Sequence, residues 1–133
     1  MNPYFTLGAR DASEAARFYD AVLATIGWSS HASFGTWRGY SQGGSGEGVV
    51  FWSCTPFDGG VATAGNGAMV GFAARSKAEV DSFYTAALAN GGSDEGKPGP
   101  REAYGPAWYS AYMRDPTGNK IGVYINWPDV KAG

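Results

Sequence analysis

Three features of this chain point to an α+β fold made of two βαβββ modules. The first is an internal repeat: Asp11 to Trp28, DASEAARFYDAVLATIGW, aligns without a gap on Ser76 to Ser93, SKAEVDSFYTAALANGGS, at a constant offset of 65 residues. The second is helical hydrophobic spacing within each aligned stretch. The third is the setting of each helix, which follows a short apolar run and precedes Gly-rich segments with strand-like alternation. The repeat makes the modules a pseudo-twofold pair, spanning about 1–55 and 68–127 with a linker over 56–67, within one domain of 133 residues.

The first module opens on the apolar run Tyr4-Phe5-Thr6-Leu7, which reads as a strand. In the helix that follows, Ala15, Phe18, Tyr19, Val22, Leu23 and Ile26 recur at three- and four-residue spacing, so they share a face that must be covered. Asp11 with Glu14 is a weak capping-box signature at its start, and Gly27 suits a left-handed stop at its end. Strand-like alternation returns around Phe34 to Tyr40 and from Val49 to Cys54, on either side of the flexible connection SQGGSGEG.

The second module repeats this order. Met69-Val70-Gly71-Phe72 is its opening strand, and Val80, Phe83, Tyr84, Ala87 and Leu88 carry the helical face. Ser76 with Glu79 forms a capping box, and the pair Gly91-Gly92 suits the stop. Trp108 to Arg114 and Lys120 to Ile125 read as closing strands joined by the tight-turn signal DPTGNK. The strand directly after each helix carries the weakest signal. The stretch CTPFDGGVATAGNGA, Cys54 to Ala68, has loop composition.

Composition narrows the function. A hydrophobic content of 44% with 17% charged residues is the balance of a folded chain. The formal net charge is -2 and Lys and Arg are scattered, so no nucleic-acid partner is expected. No apolar run reaches eighteen residues, and the opening MNPYFTLGARDASE has neither a basic n-region nor an apolar h-region, so no membrane partner and a cytoplasmic location are expected. The single cysteine, Cys54, has no internal disulfide partner and reads as a small buried hydrophobe. Seven Phe, five Trp and eight Tyr exceed what a small core needs, so some are expected to line a cavity.

A strand, a helix carrying FYDAVLATIGW, further strands and the same order again, closing on RDPTGNKIGVY, resembles the vicinal oxygen chelate superfamily of glyoxalases, bleomycin-resistance proteins and extradiol dioxygenases. The likeness is carried by Phe18-Tyr19 with Leu23 and Gly27, by the run GFAARSKAEVDSFYTAALANGG, and by Asp115-Pro116 with Gly118-Asn119-Lys120-Ile121. The resemblance implies that the paired modules curl their sheets into an open cup with the helices outside, and that the chain forms a homodimer. It further implies, in members that do chemistry, a divalent metal held by His, Glu or Gln from the first strand of each module and from a closing strand. Those positions fall here on Tyr4, Met69 and Gly122, the last where relatives read DPDGNxIE.

The donor inventory argues separately against a metal. Catalytic zinc or non-haem iron draws about three protein ligands, mainly imidazole and carboxylate. This chain has one histidine, His31. Met69 offers a neutral thioether, Tyr4 a phenol that binds hard cations reluctantly, and Gly122 no side chain. No metal and no other cofactor is therefore expected.

Recognition then falls to ring faces. Tyr4, Trp37, Trp52, Met69, Trp108, Tyr112 and Tyr124 lie on the expected strands, where alternate residues face the cup. With Gly122 they form the expected wall of a site for a small, partly aromatic organic ligand. The competing reading packs them between sheet and helices, and a slip of one residue interchanges the two. Arg101 sits with Glu102 and Tyr104 in GKPGPREAYGPAW, a stretch that relatives use as a rim; it either grips a ligand carboxylate by paired hydrogen bonds or is a solvated loop residue. Arg38 carries the same two readings. His31 reads as a surface or strand-end residue, and no catalytic residue is assigned. Three functions stay open: metal-free binding by sequestration, a lyase, isomerase or dioxygenase with an unusual or absent metal, and an interaction module whose cup is filled by its own side chains.

Overall fold

The computed structural model describes residues 2–126, and the expected end of the second module at 127 lies outside them. The first module runs β1 (Tyr4–Gly8), α1 (Ala12–Ala24), β2 (Trp28–Phe34), β3 (Trp37–Gln42) and β4 (Val50–Cys54). The second runs β5 (Val70–Ala73), α2 (Lys77–Ala89), β6 (Ser93–Pro100), β7 (Trp108–Arg114) and β8 (Lys120–Asn126), with a 3-10 turn at Glu102–Tyr104. The βαβββ order thus occurs twice, in two four-stranded sheets ordered β1-β4-β3-β2 and β5-β8-β7-β6. In each, the opening strand pairs parallel with the last one and the remaining pairs are antiparallel.

The two helices cover equivalent residues at the repeat offset, and their starts are built alike. Asp11 Oδ1 accepts a hydrogen bond from the Glu14 backbone at 3.0 Å, and Ser76 Oγ accepts from the Glu79 backbone at 3.1 Å. The arginine before each cap pairs with the same glutamate, Arg10 with Glu14 and Arg75 with Glu79. Both pairs are solvated, so the caps matter more than the charges. Ser76→Ala is expected to cost about 1 kcal/mol in urea unfolding, the usual worth of such a cap.

The helix stops differ. Gly27, with φ 81°, ends the first, whereas in the second the left-handed residue is Gly91, with φ 97°. Gly92, the repeat partner of Gly27, is constrained by space: a Cβ there would stand 2.7 Å from the Ala87 carbonyl oxygen and 2.8 Å from that of Arg114. The strand expected around Phe34 to Tyr40 divides in two. Phe34 ends β2, Trp37 opens β3, and Gly35 at φ 58° makes the turn between them. The strand β6 tolerates Pro98 and Pro100 because it is an edge strand, and its pairing with β7 slips twice between Asp94 and Gly99.

The helices cover one side of each sheet. Phe18, Tyr19, Val22 and Leu23 from α1 and Val80, Phe83 and Ala87 from α2 are buried with Tyr40, Phe51, Phe72, Met113, Ile121 and Val123. Rings join the modules into one core, since Phe72 stands 6.0 Å from both Phe5 and Phe51 and 5.6 Å from Trp28.

A polar seam runs beside that core. Asp115, 5% exposed, accepts from the Tyr19 hydroxyl at 2.6 Å, from the backbone of Thr117, Gly118 and Asn119, and from the Asn119 side chain. Asn119 also donates to the Gly8 carbonyl at 2.8 Å, so the DPTGN turn of the second module grips the first. Burial, and after it the neighbouring Asp115 carboxylate, pushes the Tyr19 phenol well above its ordinary range and keeps it a donor. Among the described residues no helix is long and apolar enough to cross a membrane.

Candidate functional site

Strand alternation assigns each side chain to a face. Phe5, Tyr40 and Phe51 point to the helices, so their neighbours Tyr4, Thr6, Trp37, Gly39 and Trp52 take the open side of the first sheet. In the second sheet Phe72, Ala111, Met113, Ile121 and Val123 point to the helices. Gly71, Trp108, Ser110, Tyr112, Arg114, Lys120, Gly122 and Tyr124 therefore take the open side. Arg38 has the opposite phase. Its guanidinium donates to both Asp20 carboxylate oxygens, at 2.9 and 3.0 Å, and the Tyr40 hydroxyl donates to the same group at 2.7 Å. It is an anchor on the helix side, away from any open-face ligand.

The two open faces are unlike. The second module holds a cavity of about 650 Å³ lined by Met69, Glu95, Gly96, Arg101, Tyr104, Trp108, Tyr112 and Lys120. An adjoining hollow of about 250 Å³ adds Gly71, Gly122 and Tyr124. Trp108 and Tyr124 lie ring on ring, 4.7 Å apart and 9° from parallel. Six of the nine site residues expected from the sequence thus come together: Met69, Arg101, Trp108, Tyr112, Gly122 and Tyr124.

The other three, Tyr4, Trp37 and Trp52, belong to the first module and do not border either hollow. Trp52 instead gathers Trp37, Phe34 and His31 around it at 6.3, 5.8 and 5.5 Å. Tyr4 is 70% exposed. His31 is a half-buried member of this aromatic group, and its Nδ1 lies 3.1 Å from the Ser41 hydroxyl.

Gly122 has a steric reason of its own, separate from the ligand position that the resemblance maps onto it. A Cβ on it would stand 3.0 Å from two carbons of the Tyr112 ring, which lies across the glycine from the neighbouring strand. The first module solves the same layer in reverse. Thr6, the repeat partner of Gly71, pairs with Trp52, and Gly71 pairs with Gly122, so Trp52 and Gly122 are equivalent positions. Opposite Trp52 stands Gly39, whose Cβ would come within 2.8 Å of the indole. Each sheet therefore accommodates one ring and one glycine at this layer, from β4 over β3 in the first module and from β7 over β8 in the second.

This arrangement does not fit a divalent metal. Of the three mapped positions, Tyr4 lies on the other module's face, Met69 supplies a thioether, and the Gly122 position is overlaid by the Tyr112 ring. Among the described residues no group of three or more His, Cys, Asp or Glu side chains is placed to hold an ion.

Three polar residues of this region are not among the site residues expected from the sequence: Glu95, Ser110 and Lys120. Strand phase is the signal that finds two of them, since Ser110 alternates with Trp108 and Tyr112, and Lys120 with Gly122 and Tyr124. Ser110 is fully buried; it accepts from the Trp108 indole at 3.0 Å and donates to the Tyr112 hydroxyl oxygen at 3.1 Å. Glu95 comes from the irregular edge strand, where alternation gives no guide, and it pairs with Arg114 at 2.6 Å.

Known proteins share this architecture. The family model described as Glyoxalase/Bleomycin resistance protein/Dioxygenase superfamily matches residues 3–123. No curated protein matches significantly. Among solved structures, a glyoxalase/bleomycin resistance protein from Albidiferax ferrireducens is 37% identical, with 91% of this chain and 94% of that one covered and a TM-score of 0.81. A glyoxalase-related enzyme from Fulvimarina pelagi is 22% identical, with coverage of 100% and 94% and a TM-score of 0.74. A lactoylglutathione lyase from Agrobacterium tumefaciens is 21% identical, with coverage of 93% and 92% and a TM-score of 0.64. These last two share the fold. With paired βαβββ modules and a family match that runs from the first strand into the last, the chain belongs to the glyoxalase/bleomycin resistance protein/dioxygenase superfamily.

Proposed function

We propose that this protein binds a small, partly aromatic organic molecule on the open face of its second module, without a metal or other cofactor, and acts by holding the ligand rather than transforming it. The observation that carries the reading is the wall of the 650 Å³ cavity: a Trp108 ring backed by Tyr124, with Tyr112 lying where a metal-binding side chain would have to project. A cavity of this volume suits a ligand of a few fused rings, and ring faces give it shape and stacking contacts. The protein works in the cytoplasm as a homodimer and needs neither nucleic acid nor membrane. Dimerisation is supported by the open face of the first module, where Tyr4 and Phe34 are 70% and 67% exposed beside Trp37 and Trp52.

Two measurements test this. Titration of the full chain with neutral 2-naphthamide, followed by calorimetry, is expected to show saturable binding that Trp108→Ala weakens about tenfold, since a stacked ring contributes about 0.5–1.5 kcal/mol beyond its buried area. Metal analysis of protein purified without chelators is expected to find no stoichiometric ion. One tightly held equivalent of zinc, iron, manganese or nickel per protomer would replace the proposal with a metal-dependent lyase, isomerase or dioxygenase. Light scattering is expected to give twice the protomer mass, and a monomer would remove the homodimer from the reading.

A further inference from the structure

The polar groups of the cavity are arranged with a direction. An indole N–H can only donate, so the Trp108 nitrogen obliges the buried Ser110 oxygen to accept, and the Ser110 proton then goes to the Tyr112 oxygen. The phenol oxygen is thereby used as an acceptor. Its own proton has no acceptor among the described residues and is left for a ligand at the cavity wall.

Two cations flank the ring that carries that hydroxyl. The Arg101 guanidinium carbon lies 5.8 Å from the Tyr112 ring centre and the Lys120 ammonium nitrogen 5.9 Å, and both residues line the cavity. Neither forms an ion pair among the described residues, whereas Glu95, the acid of the same wall, is taken by Arg114. Arg101 is also held in place. Its two terminal nitrogens donate to the carbonyls of Pro100 at 3.3 Å and Lys97 at 2.7 Å. Glycines make room for it, since a Cβ on Gly96 or Gly99 would come within 3.4 or 3.1 Å of those nitrogens. A guanidinium with five N–H groups has donors left after these two bonds.

We infer, building on the binding function proposed above, that the ligand is an aromatic oxyanion whose ring lies against Trp108 and whose charged group is met by Arg101, Lys120 and the Tyr112 hydroxyl. Charge-assisted bonds from a fixed guanidinium and an oriented phenol are the contacts that distinguish such a ligand from a neutral molecule of the same shape.

Calorimetric titration of the full chain with 2-naphthoate, 2-naphthyl phosphate and neutral 2-naphthamide tests the inference. At least one of the two anions is expected to bind about tenfold or more tightly than the amide, and the tighter of them identifies the oxyanion as carboxylate or phosphate. Arg101→Gln and Lys120→Gln are each expected to weaken the anion about tenfold and the amide by a much smaller factor, and Tyr112→Phe, which keeps the ring, to weaken the anion severalfold. Raising the salt from about 50 to about 500 mM is expected to weaken only the anions. Binding of the amide as tight as that of both anions would overturn the inference while leaving the aromatic cavity standing. Failure of all three probes to bind would remove both.

Discussion

Replacing Asp115 by alanine is expected to cost about 3–5 kcal/mol in urea unfolding, the range for stripping the partner from a buried, charge-assisted hydrogen-bond cluster. The carboxylate accepts from the Tyr19 hydroxyl, from three successive backbone N–H groups and from the Asn119 amide. Its removal leaves those donors facing a small void that water enters poorly. Tyr19 and Asp115 come from different modules, so the loss also loosens the way the halves are held together. Tyr19→Phe deletes one donor and keeps the ring, and is expected to cost only about 1–2 kcal/mol. Should the two variants prove equal in stability, the turn would be a passive connection and the aromatic core alone would join the modules.

The second large effect concerns the ring and glycine shared by β7 and β8. Gly122→Trp drives an indole into the Tyr112 ring, which a Cβ alone would already approach at 3.0 Å. An overpacking cost of about 1–3 kcal/mol is expected. Tyr112→Gly leaves a gap in the same layer and is expected to cost about 2–3 kcal/mol, below the full cost of truncating a buried aromatic because the ring is only half-buried. Combined, the two changes reproduce the arrangement of Gly39 and Trp52 in the first module. The double variant is expected to recover about 1–3 kcal/mol of the summed losses, read from a denaturation cycle on the four proteins. Simple additivity would mean that the two positions do not share a layer.

Much of the fold was legible before the structure, and for a definite reason. The repeat places two helices with the same buried spacing at equivalent positions, so each half supports the other's reading, and the caps at Asp11 and Ser76 form as their sequence implies. The hairpin at Gly35 was not legible, because Phe34 and Trp37 both suit a strand and the two-residue turn interrupts their alternation without a Pro or Asn to mark it. The face each strand presents was equally hidden. Trp108, Tyr112 and Tyr124 suit a core as well as a cavity, and only the burial of Ala111, Met113 and Val123 on the other side decides between the two. Arg38 shows the same limit from the other direction: its carboxylate partner Asp20 lies on a helix, and no local pattern brings the two together.

The reversed placement of ring and glycine in the two halves bears on how such a duplicated chain changes over generations. A recombination event that copied β4 alone over β8 would set Trp52's counterpart against Tyr112 and jam the layer. Copying β3 alone over β7 would leave glycine facing glycine and a hole between the strands. Only the two strands inherited as a block keep a single ring per layer, so the adjacent pair is the smallest segment these halves can trade intact.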